Sequence, residues 1–252
     1  MTSNEFLQDN GLKPIDSDLI KSEIQHLSFS SLKLYQQCPF KWYLKYICDI
    51  DIYENNLAFE IGSIFHKALE TLYMTKDVQK GLDILLKYYG QRNNILIENY
   101  KYYCEFYYSD YVNKVQSLEE VFKMQMPKIP IPITGRIDMR TYLGIVDFKT
   151  TSKKENEFDK DQLVLYHMYY KNKYGYAPQI TEFHFFSKII KSNVGIKAEK
   201  VEIEDELNLV KQFQEFYQNI MNCRFVPSLA NWKKEESYFN VAKNYLISCI
   251  YE

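Results

Sequence analysis

Nothing in this 252-residue chain points to a disulfide scaffold, a membrane span or a secreted precursor. Its five cysteines (Cys38, Cys48, Cys104, Cys223 and Cys249) are odd in number and widely scattered, and none forms a CxxC pair. That excludes the cysteine framework of small extracellular domains. No apolar run approaches the roughly 18 residues of a membrane helix. The opening MTSNEFLQDNGLKPIDSDLI has no basic start followed by an apolar stretch, so no signal peptide is expected. Charge of one sign is missing too: the formal net charge is -2, and no overall positive field draws the chain onto nucleic acid. Any such contact must come from a local surface. There is no GxxxxGK[ST] loop, no internal repeat and no low-complexity linker. These absences lead to the expectation of a soluble, intracellular (cytoplasmic) protein.

Hydrophobic residues make up 46% of the chain and charged residues 25%, enough for a core that needs no covalent staples. The many tyrosines, with frequent Lys, Asn and Ile, match an AT-rich coding source, such as a phage or mobile element. Residues 1–26 are polar and aperiodic and read as a flexible lead-in. From there a single domain is expected over 27–252: a helical part to about 126, a core over about 127–222, and a tail over 223–252. Ser28 or Ser30 can cap a first helix, and Pro39 suits the opening turn of the next. A third helix is expected from Glu60 to Met74, with Phe65, Leu69 and Leu72 as its buried stripe and Gly62 and His66 one turn apart on a neighbouring face. Residues 79–124 also read as mainly helical. After Pro127, Pro130 and Pro132 the pattern alternates, and ITGRIDMR and YLGIVDFKT read as two strands joined by a tight turn. A helix over Asp159–Tyr174, strands in ITEFHFFSKII and near VGIKAEKVEIE, and a helix over Asp205–Asn222 complete an α/β order.

In an extended GIVDFKT strand, alternate side chains share a face. Asp147 and Lys149 then lie with Ile145, opposite Val146 and Phe148. Charges on an apolar strand need partners, because burying them alone is expensive. Asp138 on the preceding strand comes beside Asp147 if the two strands pair as a hairpin. Two carboxylates suit Mg²⁺ or Mn²⁺, hard cations that prefer oxygen ligands. A lysine beside them orients water or offsets charge on a phosphorus centre. The plainer reading of Asp147 and Lys149 alone is an ion pair that fixes strand register.

Four motifs in order extend this constellation: SFSSLKLYQQCPFKWYLKYI, GSIFHKALE, GRID followed by IVDFKT, and QLVLY. Together they resemble the RecB-like nucleases of the PD-(D/E)XK superfamily, including AddB nuclease domains and CRISPR-associated exonucleases. The resemblance implies a restriction-endonuclease-like fold, with a mixed central sheet flanked by helices and a helical N-terminal elaboration. It implies that His66, Asp138 and Asp147 bind the metal, with the Phe148 carbonyl completing the sphere, and that Lys149 is the catalytic lysine. Gln162 and Tyr166, one helical turn apart, would support that lysine or contact the DNA backbone. Glu119 or Glu120 would add a further acid.

Iron–sulfur members of that branch place one cysteine in the Cys-Pro-Phe motif and three near the C-terminus, since a cluster takes four thiolates. Here Cys38 occupies the first position, but FVPSLANWKKEESYFN holds none. A cluster is therefore not expected, and C-terminal packing would take its place. The implied function is a metal-dependent DNA nuclease, working from an end, in recombination, repair or replication. Unwinding would be left to a helicase or another recombination or replication partner. Two alternatives stay open: an endonuclease for single-stranded or branched DNA, and a non-catalytic nucleic-acid-binding or assembly module that uses the lysines between 149 and 200.

Overall fold

The computed structural model describes residues 3–50, 57–90, 94–152, 158–231 and 238–251, with backbone alone at 3, 58 and 248–251. In chain order the elements are α1 (Ser3–Asp9), α2 (Ser17–Glu23), β1 (Leu27–Ser28), α3 (Phe29–Gln37), α4 (Pro39–Tyr46), α5 (Leu57–Thr75), α6 (Val78–Tyr89), α7 (Asn94–Phe106) and α8 (Tyr108–Tyr111). They continue with β2 (Val115–Met124), β3 (Ile133–Thr141), β4 (Gly144–Thr151), α9 (Lys160–Tyr174), β5 (Ile180–Ser187), β6 (Val194–Ala198), α10 (Ile203–Met221) and α11 (Phe239–Tyr251). The strands form one mixed sheet of order β1-β3-β4-β5-β6, with β2 also paired to β3. β3 and β4 are an antiparallel hairpin, β4 and β5 run parallel, and β5 and β6 are antiparallel. This is the mixed α/β architecture that the sequence implies.

The chain divides into two compact units, a division that the single domain expected over 27–252 did not draw. One comprises residues 1–54, 123–134 and 210–252, and the other residues 55–122 and 135–209. The boundaries fall inside β2, β3 and α10.

In the first unit, the expected lead-in of residues 1–26 instead carries α1 and α2. Asp16 caps α2 by accepting from the Asp18 and Leu19 N–H groups, each at 2.9 Å. Leu7, Leu12, Ile20 and Ile24 are buried. These apolar residues are too sparse to show a period, and tertiary packing supplies what local propensity lacks. Ser28 is the N-cap of α3, in a reciprocal capping box with Ser31. Pro39 opens α4. Phe225, just beyond α10, stacks on Trp42 with ring centroids 5.7 Å apart and also packs against Tyr35 and Tyr43. The Ser228 N–H donates to Cys38 Sγ at 3.3 Å, and Cys38 is buried. The segment after α10 is thus held to α3 and α4 by aromatic packing. Cys48 and Cys223 belong to this unit, Cys104 lies in α7 of the other, and the Cys249 side chain is outside the described residues.

In the second unit, α5 to α8 cover one face of the sheet. Phe65, Leu69 and Leu72 of α5 are fully buried with Met139, Val146, Phe148 and Phe186. α9 packs against β4 and β5. Gly62 lets α5 approach the sheet, since a Cβ there would sit 3.3 Å from Thr150 Oγ1. Several tyrosines are more than compositional: the Tyr73 and Tyr103 hydroxyls are 2.6 Å apart, Tyr103 meets His184 Nδ1 at 2.8 Å, and Tyr111 donates to Glu182 at 2.7 Å. The expected helical run over 79–124 stops at α8, and Val115–Met124 is the strand β2. Alternation is confined to its last four residues, and the half-buried stretch before them has no sustained helical or strand periodicity. Pairing with β3 decides its conformation.

Candidate active site

The candidate site residues His66, Glu119, Glu120, Asp138, Asp147, Phe148, Lys149, Gln162 and Tyr166 all map to the second unit. The β3–β4 hairpin pairs Met139 with Val146 and Arg140 with Ile145. One step further along, the Asp138 carboxylate takes a backbone donor: Oδ2 accepts the Phe148 N–H at 2.7 Å. That bond fixes the carboxylate on β3 against the strand that bears Asp147 and Lys149. The Phe148 N–H makes this contact, and its ring lies in the core against Tyr73 and His184.

Asp147 is fully buried on the β4 face that looks toward α9. Lys149 Nζ stands 2.7 Å from Asp147 Oδ2 and donates to Gln162 Oε1 at 2.8 Å. Gln162 Nε2 in turn donates to Asp147 Oδ1 at 3.2 Å and to the Tyr166 hydroxyl at 2.8 Å. The amide of Gln162 therefore grips both members of the Asp147–Lys149 pair, and Tyr166 holds the amide. Asp147 Oδ2 is charge-paired with Lys149, yet it is buried without a hydrogen bond. A buried carboxylate oxygen left in that state is costly unless another cationic partner joins it.

From α5, His66 Nδ1 reaches to 3.5 Å from Asp138 Oδ1. Glu119 of β2 joins this pair, so that one ligand atom each from His66, Glu119 and Asp138 lies within 4.8 Å of the others. The sequence left the further acid open between Glu119 and Glu120, and the structure separates them. Glu119 has a left-handed backbone, with φ of 50°. In a regular strand, successive side chains point to opposite faces. The irregularity at Glu119 breaks that alternation, as strand bulges do, and both acids reach the β3 row of Arg136, Asp138 and Arg140. Glu119 pairs with Arg136 at 2.8 Å, whereas Glu120 pairs with Arg140 at 2.7 Å and Lys173 at 2.7 Å. No sequence period could have shown this. Arg136 itself, inside GRID, was given no role. Its spacing two residues before Asp138 was the available signal.

Gly135 is set by packing. A Cβ there would come within 2.4 Å of the Phe122 ring, which stacks on Tyr169 and meets Tyr166 edge-on.

The electrostatics follow the geometry. Burial raises the Asp147 carboxyl to about 6, with the nearby Asp138 reinforcing the shift and Lys149 opposing it. Burial also acts on Asp138, but the charges of His66 and Lys149 and the Phe148 N–H bring it below the usual carboxylate range. Burial disfavours the His66 cation, yet Asp138 and Asp147 outweigh it and raise the imidazole. Burial and the Asp138 charge raise Glu119. Three carboxylates and an imidazole crowd together, with more negative charge than Lys149 and Arg136 offset. This nitrogen-and-oxygen donor set, with the underbonded Asp147 oxygen beside it, fits a hard divalent cation.

The profile of the PD-(D/E)XK nuclease superfamily matches residues 26–249, and the chain belongs to that superfamily. No curated protein matches it by sequence. Among solved structures it is similar to that of a Eubacterium rectale protein described as a candidate exonuclease. The TM-score is 0.55 at 10% identity, covering 89% of this chain and 90% of the other. A second crystal structure, of SSO0001, matches with a TM-score of 0.45 at 13% identity over 83% of this chain and 87% of the other. At such identities the likeness concerns the fold. Among the described residues, no helix is long and apolar enough to cross a membrane. Of the lysines between 149 and 200, Lys153 and Lys154 lie outside the described residues.

Proposed function

We propose that this chain is a DNA nuclease dependent on a divalent cation, Mg²⁺ or Mn²⁺, and that it works as an exonuclease of the RecB-like branch. The observation that carries the reading is the closed set Asp147–Lys149–Gln162–Tyr166 standing beside Asp138, His66 and Glu119. An ion pair that merely fixed strand register would not need a half-buried amide bridging both charges, nor a second acidic cluster next to it.

In this reading His66, Glu119, Asp138 and Asp147 hold the cation. When bound it polarises a phosphate oxygen and lowers the pKa of water. Lys149, paired with Asp147 and aimed by Gln162, orients the attacking water or offsets the charge that develops on the phosphoryl oxygens. Gln162 fixes the lysine in place, so that little reorganisation remains at the moment of reaction. Tyr166 holds the Gln162 amide in the flip state that serves both Asp147 and Lys149. Asp138 carries a second duty, since its bond to the Phe148 N–H sets the spacing of β3 and β4 at the site. The preference for an end rests on the branch resemblance and on the description of the Eubacterium rectale protein. A helicase or another recombination or replication partner would supply any unwinding that the substrate needs.

The test is cleavage of end-labelled linear single- and double-stranded DNA, and of closed circles, with Mg²⁺, Mn²⁺ or EDTA. The reading requires metal-dependent degradation that Lys149→Ala abolishes and circles that survive. Cutting of circles would make the enzyme an endonuclease. Binding of DNA with no cleavage under any metal would leave a binding module on the nuclease fold.

A further inference from the structure

Lys149 Nζ is held by Asp147 at 2.7 Å and by Gln162 at 2.8 Å, which commits most of its ammonium to partners inside the site. Arg136 differs. It lies two residues before Asp138 on β3 and therefore on the same face, and its side chain is 65% exposed. Among the described residues its charge contact is Nε to Glu119 Oε2 at 2.8 Å. An arginine bound through one edge keeps nitrogen donors for a second, planar, two-oxygen acceptor. A phosphodiester is such an acceptor. Arg136 also contributes to the field at Tyr166, as Asp138 and Asp147 do, which places its charge close to the cluster. Resting on Glu119, it neutralises a carboxylate that burial and Asp138 already disfavour as an anion.

Building on the nuclease reading, we propose that Arg136 is the phosphate-gripping residue of this site and that it exchanges partners. Without a divalent cation it pairs with Glu119. When Glu119 turns to the cation, the guanidinium is released to a phosphate of the nucleic-acid strand. The exchange couples cation and substrate: cation binding displaces the arginine from its internal carboxylate, and the freed arginine adds affinity for the strand. Lys149 and Arg136 thereby divide two tasks that one lysine could not perform together, one at the reacting centre and one on the backbone.

The rival account makes Arg136 a positioning residue that holds Glu119 ready for the cation. The two accounts predict opposite signs for one measurement. Mn²⁺ binding by calorimetry and binding of a fluorescein-labelled single-stranded oligonucleotide by anisotropy, in Ca²⁺ and over about 50 to 200 mM salt, should be compared in wild type, Arg136→Ala and Arg136→Lys. Circular dichroism would verify the fold. Partner exchange predicts that Arg136→Ala binds Mn²⁺ more tightly, because a competing cation is gone, and binds the oligonucleotide about 10-fold more weakly. The slope of log K against log salt should fall by roughly one contact. Arg136→Lys should keep the slope but not the affinity, since an ammonium cannot grip two oxygens side by side. Weaker Mn²⁺ binding with unchanged oligonucleotide binding would overturn the proposal and make Arg136 a support for Glu119. If wild type binds no DNA at all, the nuclease reading itself fails. If wild type binds and Arg136→Ala matches it, only the arginine's role fails.

Discussion

Glu119 and Glu120 are neighbours in the chain, both face the β3 row of Arg136, Asp138 and Arg140, and both are partly buried. Their surroundings are nevertheless opposite. Glu120 accepts from Ser117, from Arg140 Nε at 2.7 Å, from the Tyr169 hydroxyl at 2.9 Å and from Lys173 at 2.7 Å. Burial works against its charge, but those donors win and hold it at about 2. Glu119 has one arginine, a neighbouring carboxylate, and a raised carboxyl. A carboxylate whose acceptor capacity is filled by the protein is finished as a structural element. One left short of positive partners and pointed at other acids and an imidazole is arranged for a ligand from outside. The same contrast separates Glu120 from Asp147, whose carboxyl is raised by burial despite the Lys149 ammonium at 2.7 Å.

The largest expected effect is catalytic. Lys149→Ala or Asp147→Asn should reduce cleavage by about 10³-fold or more, measured as initial rates on end-labelled DNA, whereas Glu120→Gln should leave the rate per folded molecule near wild type. Equal losses in all three would erase the distinction. Next comes the cation. His66→Ala and Glu119→Asn should each weaken Mn²⁺ binding by roughly 10- to 100-fold, read by calorimetry. Asn suits the left-handed backbone at Glu119, so the loss would report the carboxylate rather than strain. Glu120→Gln should not change Mn²⁺ affinity.

Stability should run the other way. Glu120→Gln strands Arg140 and Lys173 and should cost about 1–3 kcal/mol in denaturant titrations at neutral pH. Because the folded carboxyl of Glu120 is depressed to about 2, its contribution is present above the ordinary glutamate value. It is lost as pH falls through about 2, and the gap between wild type and variant should close over that window. Asp147 has the opposite sign. Its carboxyl is raised to about 6, so the charged form weakens the cation-free protein as pH rises from the ordinary aspartate range through about 6. Asp147→Asn should therefore be more stable than wild type at pH 7 in EDTA, by on the order of 1–3 kcal/mol. That advantage should vanish near pH 4 and shrink when Mn²⁺ is added. A destabilised Asp147→Asn in EDTA would refute the view of Asp147 as underpartnered. A change of similar size should follow Gly135→Ala, which presses on a Phe122 ring already fixed by Tyr166 and Tyr169 and should cost about 1–3 kcal/mol.

Local chemistry alone determined a good deal of this protein. Ser28 and Pro39 fixed the starts of two helices, because capping and proline geometry act within a few residues. The alternation in GRIDMR and GIVDFKT fixed the β3–β4 hairpin and set Asp147 and Lys149 on one face, because strand periodicity needs no distant partner. The ordered motifs then pointed to the superfamily that the comparisons show. Tertiary structure decided the rest. The first residues became helices in a setting where Leu7 and Ile20 are buried and α1 packs against α11, which no local window contains. Residues 115–124 became a strand because β3 offers an edge to pair with. The choice between Glu119 and Glu120 depended on a single left-handed residue within a strand. The bridging role of Gln162 and the pairing of Arg136 with Glu119 depended on where separate elements meet. A sequence specifies which groups are available and which face they occupy. Which of them are left short of partners, and so ready for a ligand, is settled only when the whole chain has packed.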